Sequence, residues 1–320
     1  MTDRPAATPR DAVITVGTFD GVHRGHADML RVLEARARAS ALRSVLVTFA
    51  GHPLETLRPH EAPSLLTPGA EKFEALASVG SPIDRVVSLP FTPSLAALSA
   101  EQFVIDVLRT KYDMRELLIG HDHGFGRGRG GDAATLQALG NAHGFSVDVV
   151  PPVAAPDGTP VSSTTLRDAV RRGDLAGAAE QLGRPYGLRG HVVRGDQRGR
   201  LLGYPTLNVR LLDARKLLPP DGVYAVHVFL PDGERGGMLN LGSRPTFGDA
   251  DRSLEVHMFD AAGDWYDAPV GVAFIARLRD VRRFDGVDAL VAQLAQDAAA
   301  ARRALRDSDA AAGGAAPLTP

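Results

Sequence analysis

Within the first 150 residues, five short apolar runs alternate with helical segments, and this alternation constrains the fold more than any other feature of the chain. Val13–Val16, Ser44–Phe49, Arg85–Leu89, Glu116–Ile119 and Ser146–Val150 read as strands. Ala27–Ala39, Glu71–Ser78, Ala100–Arg109 and Ala133–Ala142 read as helices between them. Strands that are apolar throughout and separated by helices form a parallel sheet covered on both faces. The expected first domain is an open α/β sheet.

After Pro151-Pro152 the texture changes. Pro156-Asp157-Gly158 signals a turn, a helix opens at Ser162-Ser163-Thr164 and runs to about Arg172, and Asp174–Leu182 adds a short helix stopped by Gly183 and Pro185. From Gly190 on, strand-like pieces at His191–Val193, Val223–Phe229, Met238–Leu241, Leu254–Phe259 and Val270–Leu278 are separated by glycine and proline turns, as in a small antiparallel barrel. A last helix covers Asp288 to about Arg306, and Asp307–Pro320 reads as a frayed tail. A chain of 320 residues fits two domains at roughly 150 residues each, here 11–183 and 184–306.

With 44% hydrophobic and 23% charged residues the chain is globular rather than disordered. It has no cysteine, which excludes disulfides, thiolate metal sites and cysteine nucleophiles. Chemistry must come from His, carboxylates, hydroxyls, Arg or a hard cation held by oxygen. The formal charge of −2 provides no basic field for nucleic acid, although 33 of the 36 cations are Arg. No run approaches the roughly 18 apolar residues of a membrane span. Met1–Arg10 has no apolar core of a leader, so a cytoplasmic location is expected.

The first chemical constellation, Gly17-Thr18-Phe19-Asp20-Gly21-Val22-His23-Arg24-Gly25-His26, joins the first strand to the first helix. Backbone N–H groups and the helix dipole attract anions at such a junction. Two histidines three apart are able to offer imidazole N–H groups to one polyphosphate. They also read as a metal pair or as surface histidines, and no third ligand at suitable spacing follows. Ser162-Ser163-Thr164-Thr165-Leu166-Arg167 reads either as an N-cap alone or as a cap with Arg167 aimed at phosphate oxygens. The stretch Gly120–Asp132 carries six glycines after a strand end, where open sheets bind ligands, and Asp122 in it is a candidate acceptor for nucleotide. A solvated, mobile loop is the other reading.

The second constellation, Gly195-Asp196-Gln197-Arg198-Gly199-Arg200-Leu201-Leu202-Gly203-Tyr204-Pro205-Thr206-Leu207-Asn208, has the glycines Gly195, Gly199 and Gly203 of a phosphate-covering loop. It is not the P-loop pattern G-x-x-x-x-G-K and lacks its lysine. Thr206 and Asn208 share one side of an extended segment, suited to one Mg2+ on a nucleotide or to a plain polar pair. Glu255 alternates with Leu254, Val256 and Met258, so it faces away from them, as a base or as an exposed carboxylate.

Together these residues resemble the prokaryotic bifunctional riboflavin kinase / FAD synthetase family from about Asp11 to Arg302. The first half resembles its adenylyltransferase module through GTFDGVHRGH (Gly17 to His26), TFAGHPLETLRP (Thr48 to Pro59), GHDHGFGRGRGGD (Gly120 to Asp132) and SSTTLR (Ser162 to Arg167). The second half resembles its flavokinase module through GHVVRGDQRGRLLGYPTLNV (Gly190 to Val209), GVYA (Gly222 to Ala225), NLGSRPTF (Asn240 to Phe247) and LEVHMFD (Leu254 to Asp260).

The resemblance implies a Rossmann-like nucleotidyltransferase domain followed by a flavokinase barrel. It implies that riboflavin is phosphorylated by ATP in the second domain and that FMN takes AMP from a second ATP in the first, giving FAD and pyrophosphate, with Mg2+ at both. Carried over by position, His23, His26 and Arg167 act on the ATP phosphates with Ser162, Ser163 and Thr164. Gly17, Phe19, Asp20, Gly21 and Asp122 contact nucleotide, Gly195, Gly199 and Gly203 cover phosphate, Thr206 and Asn208 hold Mg-ATP, and Glu255 activates the flavin's ribityl hydroxyl. The partners implied are small molecules. The chain departs from the pattern at His123, where the family usually has an aromatic, and at Gly51, where it commonly has Pro. Two alternatives follow: a riboflavin kinase with a weakened adenylyltransferase, and a non-catalytic flavin or nucleotide sensor.

Overall fold

Ala12–Val16 (β1) is buried at every residue, as a strand covered on both faces must be. In the computed structural model, which describes residues 11–121, 124–156, 158–195, 203–243, 252–261 and 263–312, β1 is the middle strand of five. β2 (Arg43–Phe49) and β3 (Arg85–Leu89) lie to one side, β4 (Met114–Gly120) and β5 (Ser146–Val150) to the other, all parallel, in the order β3-β2-β1-β4-β5. The connections are α1 (Arg24–Ser40), α2 (Pro53–Leu57), α3 (Ala70–Ser78), α4 (Pro93–Ala96), α5 (Ala100–Gln102), α6 (Thr110–Tyr112) and α7 (Ala133–His143).

The expected sheet is present with all five strands. Two apolar layers flank it: Ile14, Val45 and Leu117 pack with Phe103, Val104 and Leu136 on one face, and Val13, Leu46 and Leu118 pack with Leu30, Leu33 and Leu76 on the other. Alternate residues of the same strands supply the two layers, which is why the strand sequences show no polar alternation. The segment expected as one helix over Ala100–Arg109 is α5 followed by a π-helical stretch, Phe103–Arg109. Its buried residues fall in adjacent pairs, Phe103/Val104 and Val107/Leu108.

The chain divides into two compact units, Met1–Val161 and Ser162–Pro320. The second opens with α8 (Ser163–Arg172) and α9 (Leu175–Leu182), and α9 packs on strands β6 (Tyr186–Val193) and β11 (Pro269–Arg279). The packing division therefore falls before α8, whereas the sequence places the boundary after Gly183, where the strand texture starts.

β6, β7 (Leu207–Leu211), β8 (Gly222–Leu230), β9 (Gly233–Ser243), β10 (Arg252–Met258) and β11 close an antiparallel barrel in the order β10-β7-β6-β11-β8-β9. The sequence reading contains five of these strands; β7, short and half polar, is the addition. The terminal helix α10 (Val287–Ala312) packs on β8, β9 and β11. It runs beyond Arg306 into the segment expected as frayed, because Asp307–Ala312 is alanine-rich and Asp309 lies 3.3 Å from His227 on β8. Arg279 of β11 and Asp297 of α10 form an ion pair at 2.7 Å, with the Asp297 side chain 4% exposed.

Candidate active sites

At β1 the direction of strand addition reverses: β2 and β3 follow on one side, β4 and β5 on the other. Open sheets bind ligands at the carboxyl ends around such a point. The Gly17–His23 loop leaves β1 there, and α1 begins at Arg24. The loop is tied to the end of β2, with Gly17 N–H donating to Val47 O at 3.1 Å and the Thr48 hydroxyl donating to Thr18 O at 3.1 Å.

Two loop residues other than glycine take positive φ, Phe19 at 48° and Val22 at 43°, and both are buried. For a β-branched residue this conformation is strained, by roughly 1–3 kcal/mol, and such strain gathers at functional sites. Gly17 has its own reason: a Cβ there would stand 2.9 Å from the Phe19 ring. Asp20 is turned inward. Its carboxylate accepts from Leu66 N–H at 3.0 Å and Thr67 N–H at 2.9 Å, while the Thr67 hydroxyl accepts from Gly21 N–H at 2.8 Å. Asp20 thus clamps the bend at Leu66–Thr67 onto the loop.

His23 is the N-cap of α1, and its Nδ1 accepts from the His26 backbone N–H at 3.3 Å. An Nδ1 that accepts carries no proton, so the proton of this imidazole is on Nε2. The His23 and His26 rings stack with centroids 3.7 Å apart at 17°, and Phe19 lies 4.6 Å from the other side of His26. Gly25 leaves room for the stack, since a Cβ there would meet the His23 ring at 3.2 Å. Nδ1 of His26 is sealed from solvent and has no hydrogen-bond partner among the described residues. Burial first, then the nearby His23 and Lys72, hold the His26 imidazole well below the ordinary histidine range.

Lys72 is a residue that sequence reasoning missed. It sits in the first turn of α3, 7% exposed, with Nζ donating to Phe49 O at 2.8 Å at the end of β2. Burial lowers its pKa, and the nearby carboxylates of Asp20 and Glu55 act against that. The available signal was scarcity: the chain has only three lysines, and two, Lys72 and Lys216, are buried.

The glycine-rich segment after β4 is described from Gly124 on. It folds back through a Phe125–Gly131 bridge, and a Cβ at Gly126 or Gly131 would meet Ala100 within 3 Å. Those glycines serve close packing rather than mobility. Asp122 and His123 lie outside the described residues, as does Gly199.

In the second unit, Ser162 caps α8 by accepting from Thr165 N–H at 3.2 Å, and the Thr165 hydroxyl accepts from Ser162 N–H at 3.1 Å. The capping reading is therefore realised for Ser162. Ser163 is half-buried, Thr164 exposed, and Arg167 buried.

On the barrel, Glu255 of β10 pairs directly with Asn208 of β7 on one side and with Asn240 of β9 on the other. Directly opposed residues share a face with Cβ atoms about 5 Å apart, so the two candidates lie together with Asn240, which the sequence reading had not singled out. A Cβ on Gly195 would stand 2.0 Å from Asn208 Nδ2, so only glycine lets the incoming chain lie on that amide. Gly203 turns the chain at φ 80° toward Tyr204-Pro205-Thr206. His257 Nδ1 donates to Pro205 O at 2.9 Å and its ring meets Tyr204 edge-on at 5.0 Å, holding the segment that carries Thr206.

Sequence profiles described as FAD synthetase and riboflavin kinase match residues 6–165 and 182–305. The bifunctional riboflavin kinase/FMN adenylyltransferase of Escherichia coli strain K12 is 38% identical over 297 residues, covering 92% of this chain and 93% of its own. That of Pseudomonas fluorescens is 40% identical over 294 residues, with coverage of 92% and 93%. A crystal structure described as a macrolide-efflux protein from Streptococcus pneumoniae overlays with a TM-score of 0.81 at 35% identity, covering 92% of this chain and 94% of its own. Among the described residues no helix is long and apolar enough to cross a membrane. The chain belongs to the bifunctional riboflavin kinase/FMN adenylyltransferase family.

Proposed function

We infer that the protein converts riboflavin to FMN and FMN to FAD with two molecules of ATP, one reaction in each half of the chain. The observation that carries the kinase assignment is the direct pairing of Glu255 with Asn208. Glu255 takes the proton from the terminal ribityl hydroxyl of riboflavin while that oxygen attacks the γ-phosphorus of ATP, and ADP leaves. Thr206 and Asn208 offer neutral oxygen donors beside that carboxylate, a donor set that suits a hard cation already held by a nucleotide. Mg2+, when bound, supplies charge neutralisation on the transferring phosphate. Gly195, Gly199 and Gly203 let the preceding chain approach the phosphates.

In the first half, an FMN phosphate oxygen attacks the α-phosphorus of ATP and pyrophosphate leaves. Nε2–H of His23 and of His26 donate to the phosphates, where charge builds in the transition state. Ser162, Ser163, Thr164 and Arg167 belong to the same reaction by their motif, as does Asp122. Gly17, Phe19, Asp20 and Gly21 hold the loop from which the histidines project. We set the functional boundary at Gly183, one residue inside the start of the second profile match, which runs from 182 to 305, the first ending at 165. The reading requires only small-molecule partners and an ATP supply, which fits the cytoplasm.

The test is a single incubation of purified protein with riboflavin, ATP and Mg2+, resolving flavins over time. FMN should appear first and FAD after it. FMN without FAD would favour the kinase with a weakened adenylyltransferase, and neither product would favour a sensor.

A further inference from the structure

Thr206 and Asn208 are anchored by different means. Asn208 lies in β7, where the strand ladder pairs it with Glu255 and pairs the preceding Leu207 with Val256. Thr206 stands just before β7 and just after Pro205, which has no N–H to give to a ladder. Residues 204–206, between the turn at Gly203 and the first residue of β7, lie outside the strands.

The hold on this stretch comes from the residue after Val256 on β10, His257. Continuing the antiparallel register by one step sets His257 opposite Thr206, as Glu255 is set opposite Asn208. A carbonyl only accepts, so the ring donates through Nδ1–H to Pro205 O, at 2.9 Å. That oxygen belongs to the planar peptide unit that joins Pro205 to Thr206, and the bond therefore fixes the plane from which Thr206 departs. The same ring meets Tyr204 edge-on with centroids 5.0 Å apart. It is held in turn: Phe259 meets it edge-on at 5.8 Å, Arg302 of α10 lies 4.3 Å over the Phe259 ring, and that guanidinium donates to both Asp260 oxygens at 2.7 and 3.0 Å. Because His257 and Glu255 are two apart on one strand, they share a side of it. The stretch that carries Thr206 is thus tied to the strand that carries the carboxylate.

We propose that His257 is a positioning residue for riboflavin phosphorylation: through its bond to Pro205 O it holds Thr206 at a fixed distance from Asn208 and Glu255, so that the nucleotide meets a preformed site. The proposal rests on the reading of the second half as the kinase. His257 acts through Thr206 and takes no proton from the substrate, a role that belongs to Glu255.

The experiment compares His257→Phe, which keeps a ring against Tyr204 and Phe259 and loses the donor, with His257→Asn, whose amide places an N–H near the position of Nδ1. In His257→Phe the KM for Mg-ATP in FMN formation should rise about tenfold or more, with kcat and the KM for riboflavin changed by less than about threefold. His257→Asn should recover most of that rise. Hydrogen exchange of the full chain without nucleotide, followed by mass spectrometry, should show the peptide over residues 204–208 exchanging about tenfold faster or more in His257→Phe and close to normally in His257→Asn, with β8 unchanged in both. His257→Leu replaces His257→Phe if the latter does not fold. An unchanged KM for Mg-ATP or an unchanged exchange rate in the folded variant without the donor overturns the proposal, as does a His257→Asn protein no better than His257→Phe. Absence of FMN formation in the unaltered protein would instead overturn the functional reading and leave the exchange result standing.

Discussion

Asn208 on β7 and Glu255 on β10 face each other directly across an antiparallel strand pair, which fixes the separation of an amide and a carboxylate without any loop between them. Glu255→Gln preserves shape and removes the base. FMN formation should fall by roughly 10²–10⁴-fold, while conversion of supplied FMN to FAD stays close to that of the unaltered protein. Parallel loss of both activities in a folded variant would contradict the division of labour.

Gly195→Ala tests the same corner from behind. The added Cβ has no room beside the Asn208 amide, 2.0 Å away, so either the loop or the amide must shift. Riboflavin phosphorylation should show a raised KM for Mg-ATP, tenfold or more, at unchanged thermal stability of the barrel. Steady-state kinetics with ATP varied would decide this.

The Arg279–Asp297 pair fastens α10 to β11. Asp297→Ala leaves a largely buried guanidinium without its carboxylate, which should cost about 3 kcal/mol or more. The single tryptophan, Trp265, donates to Asp232 within the second unit, so denaturant unfolding followed by its fluorescence reports that unit. An unchanged midpoint would show that the pair is dispensable.

Acidification should weaken the first unit through His26. Its imidazole is held below the ordinary histidine value in the folded protein, so the unfolded chain binds the proton more readily. The stabilisation is complete above about pH 6.5 and is lost as pH falls from there toward the folded value. Melting followed by circular dichroism from about pH 8 to pH 5 should show that decline, and His26→Asn should flatten it.

Much of this was legible in the residues because burial and periodicity agreed. β3 and β5 have the bounds read from the sequence, being apolar runs between clear turns. β7 was not, since Leu207–Leu211 alternates over too few residues to stand out beside the glycine-rich segment before it. The pairing of Glu255 with Asn208 depends on barrel register, which no local pattern encodes. The hydrogen bonds that Asp20 accepts from Leu66 and Thr67 were not legible, because those residues lie 46 and 47 positions away. Lys72 escaped notice because a lysine in an amphipathic helix is ordinarily solvated, and its burial comes from the end of β2.

The first histidine of the pair does two jobs with one nitrogen ring. Nδ1 of His23 caps the start of α1, and its other nitrogen, Nε2, is the donor in the proposed adenylyl transfer. Substituting alanine there removes the helix end together with the donor, so the resulting loss of rate conflates architecture with chemistry. Asparagine keeps a capping oxygen and gives up the imidazole, and comparison of the two variants separates what the ring contributes to catalysis from what it contributes to the first turn of α1.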